Sequence, residues 1–247
     1  MMNEDRIVAL FNQITSSLEP LEEMDCSYLP DARESLKGVM VRGMPNGLHS
    51  LFIQSGFRHS GNFFYLPACP SCRACLPLRV PVATFKASKK QRHIWNKNSD
   101  IEVRVMRPVP SPEKYEMYCR YLAFQHAKAK EETDGYDSFR RFLYMRHESS
   151  AEIEYWLDEH LVGITIADII PGGALSSVYH FFDPAYASRS IGVFSVLAEI
   201  RLCSSYDIPY YYLGFWIKAC RKMVYKAQYR PNEVLLDGQW VMNPYIE

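Results

Sequence analysis

The sequence predicts an α+β protein whose C-terminal half is an α/β domain on a mixed sheet. Three observations lead there. Residues 151–247 run strand, strand, strand, helix, strand, helix. Residues 111–147 repeat apolar side chains at helical spacing. The first hundred residues gather cysteines, cations and short alternating stretches instead. The chain therefore divides into a cysteine-containing, basic N-terminal region (1–108) and a helical layer followed by the sheet domain (109–247).

The elements follow in order. Residues 1–18 read as a short amphipathic helix, and 21–35 as a loop broken by Pro30. Residues 48–66 suggest a helix end followed by the strand GNFFYLP, and LPLRVPV alternates as a second strand. Ser88 is placed to cap the basic helix SKKQRHIWNKN, and IEVRVMRPV is a strand stopped by Pro108. Ser111-Pro112-Glu113 opens a helix, the charged run 128–137 interrupts it, and FRRFLYM resumes it. IEYWLD and LVGITIADII form a strand pair across Asp158-Glu159-His160, and Pro171-Gly172-Gly173 marks a turn. The strand ALSSVYHFFD, the helix SRSIGVFSVLAEIRLCSSY, the strand PYYYLGFW and a last basic helix, IKACRKMVYKAQY, complete the pattern.

Composition narrows the function classes. A chain of 247 residues, 48% hydrophobic and 23% charged, forms a core, which excludes a disordered or fibrous protein. No apolar run reaches about 18 residues, so no membrane span is expected. Glu4 and Asp5 stand where a secretory signal would carry cations. The seven cysteines then belong to a reducing compartment, and a cytoplasmic location is expected.

Net charge is zero, yet residues 35–99 contain no acid and ten Lys or Arg, where even spreading of 28 acids would put about seven. Residues 208–232 are also free of acids and carry Lys218, Arg221, Lys222, Lys226 and Arg230. Segregated cations suit phosphates or carboxylates; a solvated face balanced by folded acids is the alternative.

Three constellations carry chemistry. Cys69-Pro-Ser-Cys72-Arg-Ala-Cys75 places thiols three residues apart, close enough to converge on one ion, with Cys26 as the fourth ligand. Zinc and an iron–sulfur cluster both fit that spacing, and so do buried free thiols. The loop Arg189-Ser190-Ile191-Gly192 opens a helix, whose free N–H groups and positive dipole end accept phosphate. On the last predicted helix Lys218, Arg221, Lys222 and Lys226 share a face beside Tyr225, a mixture suited to a nucleic-acid backbone or a carboxylate. No nucleophile elbow, P-loop or dinucleotide fingerprint is present.

CSYLPD (26–31), SGFRHSGNFFYLPACPSCRACLPLRVPV (55–82), SSVYHFFDP (176–184), RSIGVFSVLAEI (189–200) and YYLGFWIKACRKMVYKAQYRP (211–231) together resemble the arginyl-tRNA–protein transferase family, in its bacterial branch, the aspartate/glutamate leucyltransferases. The resemblance covers nearly the whole chain. It implies an aminoacyltransferase that moves leucine from leucyl-tRNA to proteins beginning with Asp or Glu, creating an N-end rule degradation signal. It implies an acetyltransferase-like (GNAT) fold in the C-terminal part, with no membrane or DNA partner and no required cofactor. In the family's eukaryotic branch the thiols are placed differently, where this chain has Leu29 and Ala74, so zinc or iron–sulfur binding carries over only as an option.

The implied acyl site puts His180 and Asp183 forward as bases for the acceptor amine, with the tRNA ribose as an alternative proton carrier. Arg79, Arg92, Arg221 and Lys222 are the candidates for reading an acidic N-terminus. Lys89, Lys90, Arg189, Ser190, Gly192, Lys218, Tyr225 and Lys226 are the candidates for tRNA contact. Tyr211, Phe215 and Trp216 could shape an apolar pocket for leucine. A coenzyme A-dependent acetyltransferase and a non-catalytic zinc-ribbon RNA-binding module are the competing readings.

Overall fold

The computed structural model describes residues 3–126, 135–145, 147–170 and 173–246. The predicted turn at Pro171-Gly172 and most of the charged break at 128–137 lie outside them. The N-terminal helix α1 (Glu4–Ser16) is capped by Asn3, whose side chain accepts the Arg6 N–H, with Glu4 and Asp5 at its positive end. It packs Ile7, Leu10, Phe11 and Ile14 on α2 (Asn46–Gln54) around Met44, Leu48 and Phe52. The loop that follows α1 holds a two-residue ribbon, β1 (Met24–Asp25) with β2 (Arg33–Glu34). A three-stranded antiparallel sheet joins β3 (Leu36–Met40), β5 (Phe63–Pro67) and β4 (Arg58–Ser60), with β5 central.

The main sheet has eight strands: β6 (Leu76–Pro81), β7 (Ile101–Met106), β8 (Ser150–Leu157), β9 (His160–Ile170), β10 (Ala174–Phe182), β11 (Tyr210–Trp216), β12 (Glu233–Leu236) and β13 (Gln239–Met242). Their order is β13-β12-β6-β11-β10-β9-β8-β7. Every neighbouring pair is antiparallel except β10 and β11, which run parallel because α6 (Ile191–Ser205) crosses between them. The predicted mixed sheet is thus observed. Strands β6 and β7 of the first 108 residues lie within it, beside β11 and β8.

Helices cover both faces, which is why the central strands read as nearly continuous apolar runs. On one face α6 and α3 (Lys89–Lys97) bury Phe194, Leu197 and Ile94 against Tyr155, Leu175 and Leu78. Ser88 caps α3 as predicted, in a full capping box with Gln91. On the other face α4 (Pro112–His126) and α5 (Gly135–Leu143) bury Met117 and Phe139 against Ile164, Ile166 and Phe181.

One expectation is corrected and one element is new. The basic helix predicted over IKACRKMVYKAQY is a chain of turns with only a short 3-10 segment, Val224–Gln228. Carbonyls that a helix would use internally are taken from outside. Trp216 donates to Val224 O, Gln91 to Gln228 O, and Asn232 to Ala227 O and Tyr229 O. The hairpin β12–β13 was not anticipated, although Asp237-Gly238 is a strong hairpin signal and both residues adopt positive φ (47° and 78°).

Candidate active site

Strands β10 and β11 pair only from Ala174↔Tyr210 to Ser176↔Tyr212 and then part, although each continues for several residues. Both are irregular at that point, β10 between Ser177 and Tyr179 and β11 between Tyr212 and Gly214. A sheet that opens in its interior exposes backbone carbonyls, and each must find a donor. Arg58 of β4 supplies them to β10: its guanidinium donates to Ser176 Oγ (3.1 Å), Ser177 O (2.6 Å) and Val178 O (3.0 Å). Lys226 supplies β11, donating from Nζ to Phe215 O (2.8 Å). Gly214, at φ 76°, leaves the room: a Cβ there would lie 2.9 Å from Arg58 Nε.

The fork is therefore walled by two cations, and neither has a carboxylate partner among the described residues. Lys226 is half-buried. Burial first, and the Arg58 charge second, lower the ammonium to about 7. Arg58 retains Nε–H and one further N–H, and Lys226 two N–H bonds, beyond those committed to backbone.

A buried polar network lies beyond the split. Glu199 of α6 accepts hydrogen bonds from Tyr155 (2.8 Å), Thr165 (2.7 Å) and Tyr211 (2.7 Å), and burial raises its carboxyl. Since the Thr165 hydroxyl donates to Glu199, it accepts from His180 Nδ1 at 2.9 Å. That assigns the proton to Nδ1 and leaves His180 Nε2 as a buried lone pair with no partner, 3.9 Å from where a Gly192 Cβ would stand. Burial lowers the imidazole to about 4, so it is neutral at pH 7.

Cys26, Cys69, Cys72 and Cys75 line one pocket of about 220 Å³, whose wall includes Phe215 of β11 and Tyr65 of β5. Burial, with Cys69, Cys26 and Cys72 adding, pushes the Cys75 thiol up to about 12. Arg73 braces the loop by donating to the carbonyls of Cys69 and Cys72 (2.9 Å for the latter).

The family model described as arginine-tRNA-protein transferase, N terminus, matches residues 24–93, and the C-terminal model of the same family matches 113–236. The chain is 36% identical over 219 residues to the aspartate/glutamate leucyltransferase of Pseudomonas fluorescens, covering 88% of this chain and 92% of that one. The protein of the same name from Hahella chejuensis is 35% identical over 220 residues, covering 89% and 94%.

This chain belongs to the arginine-tRNA-protein transferase family.

Among solved structures, that of L-PGS from Bacillus licheniformis aligns with 68% of this family member and 50% of its own chain, at 13% identity and a TM-score of 0.45. No helix among the described residues is long and apolar enough to cross a membrane.

In this transferase the residues singled out from sequence are dispersed. Lys226 reaches the fork, whereas Tyr225 is partly exposed, Lys218 is exposed on one turn and Arg221 and Lys222 on the next, so the shared helical face does not exist. Arg79 pairs with Glu233 (2.7 Å) and lies over the Tyr210 ring (3.6 Å) and the Trp240 ring (4.4 Å), which commits its charge. Arg92 donates to Ala87 O (2.5 Å), while Lys89 and Lys90 are exposed at the start of α3. Arg189 binds Asp100 through both terminal nitrogens (2.8 and 2.9 Å), and Ser190 takes a left-handed conformation (φ 58°) without a side-chain cap bond. Asp183 accepts from Arg120 (2.7 Å) and from Ala185 N (3.0 Å), and it lines a different pocket from the fork. Tyr211 and Trp216 are core side chains. Arg58 was missed: only its position as the lone cation in the apolar stretch around 55–66 marks it in sequence.

Proposed function

We propose that this transferase carries leucine from leucyl-tRNA to the α-amine of proteins that begin with Asp or Glu, and that the β10–β11 fork is where ester and acceptor meet. The observation that carries this reading is the Arg58–Lys226 pair, two half-buried cations with unused donors and no acid partner among the described residues. A carboxylate entering the fork satisfies those donors and restores Lys226 to its charged form. Asn or Gln supplies no charge there and is rejected.

The reaction exchanges an ester for an amide. The acceptor amine attacks the leucyl carbonyl carbon, the bond to the ribose oxygen breaks, and the amine proton ends on that oxygen. His180 Nε2 takes the proton and returns it, a role supported by its unpartnered nitrogen and by the tautomer that Thr165 and Glu199 hold. The ammonium formed on attack is far more acidic than a free amine, so a weak base suffices. Asp183, held by Arg120, is the less suited of the two. Positioning supplies most of the acceleration, because the ester is already activated. The parted strands and the β10-α6-β11 crossover support an acetyltransferase-like reading of the sheet. Commitment of Arg189 to Asp100 weighs against coenzyme A pyrophosphate at that loop.

Cys26, Cys69, Cys72 and Cys75 are the residues that would hold a zinc ion or iron–sulfur cluster, but no three of their sulfurs lie within 4.8 Å of one another, so the loop would have to draw together around it. The exposed Lys89, Lys90, Lys218 and Arg221 suit tRNA phosphates, and the N-terminal leucine marks the product for degradation in the cytoplasm. The test is mass gain on peptides starting with Asp, Glu, Asn or Lys, incubated with charged leucyl-tRNA. Modification of the first two only is expected, with Arg58→Gln and Lys226→Met each losing the preference for Asp over Asn. Retention of that preference in both variants would remove the fork from acceptor recognition.

A further inference from the structure

Behind Arg58, on the face where β4 meets the main sheet, a second cluster converges without a role in the transfer. One ring nitrogen each of His49 of α2 and His59 of β4 and an Asp168 oxygen of β9 lie within 4.8 Å of one another. The side chains are 0%, 8% and 1% exposed. His59 Nε2 is 2.7 Å and His49 Nε2 3.4 Å from Asp168 Oδ2. His49 Nε2 and Asp168 Oδ1 are buried without a hydrogen-bond partner.

The outer contacts decide the chemistry. His59 Nδ1 is 2.9 Å from Gly61 O, and a carbonyl only accepts, so the proton sits on Nδ1. His49 Nδ1 meets Ser149 Oγ at 2.7 Å, a hydroxyl that either donates or accepts. Both rings are thus held by the nitrogen remote from Asp168, the arrangement that orients histidines bound to a metal. Inward, His59 Nε2 hydrogen-bonds to Asp168 Oδ2, so a proton lies in that contact, while His49 Nε2 and Asp168 Oδ1 have no partner. A dication would displace that proton and satisfy the two buried atoms that otherwise lack a partner. Two imidazoles and a carboxylate suit a first-row transition dication, zinc foremost, whose tetrahedral ligands stand about 3.3 Å apart. Phe64, stacked on His59 at 4.9 Å, walls one side of the site.

We propose that His49, His59 and Asp168 form a zinc site, distinct from the cysteine pocket, that clamps α2 and β4 to β9. Asp168 Oδ1 or a water completes the coordination. Because His59 adjoins Arg58, the ion fixes the strand that delivers the guanidinium to the fork.

The test uses the full chain, stripped with chelator and titrated with Co²⁺ and then Zn²⁺, read by visible absorption, metal content and thermal melting. The expected result is a cobalt equivalent showing ligand-field bands without thiolate charge-transfer absorption, and a melting temperature raised by Zn²⁺. His49→Gln should lose that equivalent. Ser149→Ala, which leaves all three ligands in place, should bind roughly 10–100-fold more weakly. Cobalt taken up solely with thiolate bands, no uptake, or unchanged affinity in both His49→Gln and Ser149→Ala would each overturn the site. Should His49→Gln not fold, the wild-type spectrum and Ser149→Ala decide it alone.

Discussion

Replacing Arg58 with lysine keeps a positive charge beside the fork and removes its shape. The guanidinium serves Ser176 Oγ, Ser177 O and Val178 O at 3.1, 2.6 and 3.0 Å from two nitrogens set in one plane. A lysine ammonium is a single point on a shorter stem and reaches about one of the three. Two hydrogen bonds from a charged donor are lost, at roughly 1.5 kcal/mol each, so the fold should weaken by about 3 kcal/mol. In a chain of this size that is roughly 6–12 °C of melting temperature. Urea unfolding gives the free energy, and transfer to Asp- and Asn-initiated peptides gives the function. The preference for Asp should fall by about tenfold or more, since a buried carboxylate is then left incompletely paired. A loss below about 1 kcal/mol, together with undiminished preference for Asp, would refute the view that Arg58 both holds the strands apart and reads the acid.

Lys226→Met isolates the second cation. The folded amine titrates near 7 and the unfolded one near 10.5, so the unfolded chain binds the extra proton between those values. Stability of the wild type relative to the variant should therefore fall as pH is lowered from 10.5 to 7 and level off below, as followed by urea midpoints across that range. Arg79→Met should cost roughly 2–3 kcal/mol through the uncompensated Glu233. It should leave the Asp preference intact, and restoring much of the stability with Glu233→Gln would confirm the pair as structural. Removing Lys89 and Lys90 together should leave peptide-independent stability within about 0.5 kcal/mol. The slope of log affinity for tRNA against log salt should become shallower by roughly 1.5, as fluorescence anisotropy would measure.

Local chemistry made several elements legible in sequence. Ser88 with Gln91 marks a helix start because hydroxyl and amide satisfy each other's backbone. The near-continuous apolar strands β9 and β11 and the buried helix α6 announce a sheet covered on both faces. The thiol spacing predicts ligands converging on one ion; Cys26, Cys69, Cys72 and Cys75 do line one pocket, without three sulfurs within 4.8 Å of one another. The basic tail of 217–229 misled, because its periodicity is helical while its carbonyls are claimed by Trp216, Asn232 and Gln91 from other parts of the chain.

The site itself was decided by tertiary contacts. Residues 58, 176–178, 214–215 and 226 come from separate segments, and nothing local in any of them says that a strand will part from its neighbour. The same holds for charge: Arg79 and Arg189 are indistinguishable from Arg58 in sequence, and only folding shows that Glu233 and Asp100 neutralise the first two. Sequence by itself determined which residue types the protein has to spend and which family it joins. Which cations stay unpaired, and where, depended on long-range packing, because a charge is available to a ligand only when no acid has been folded against it.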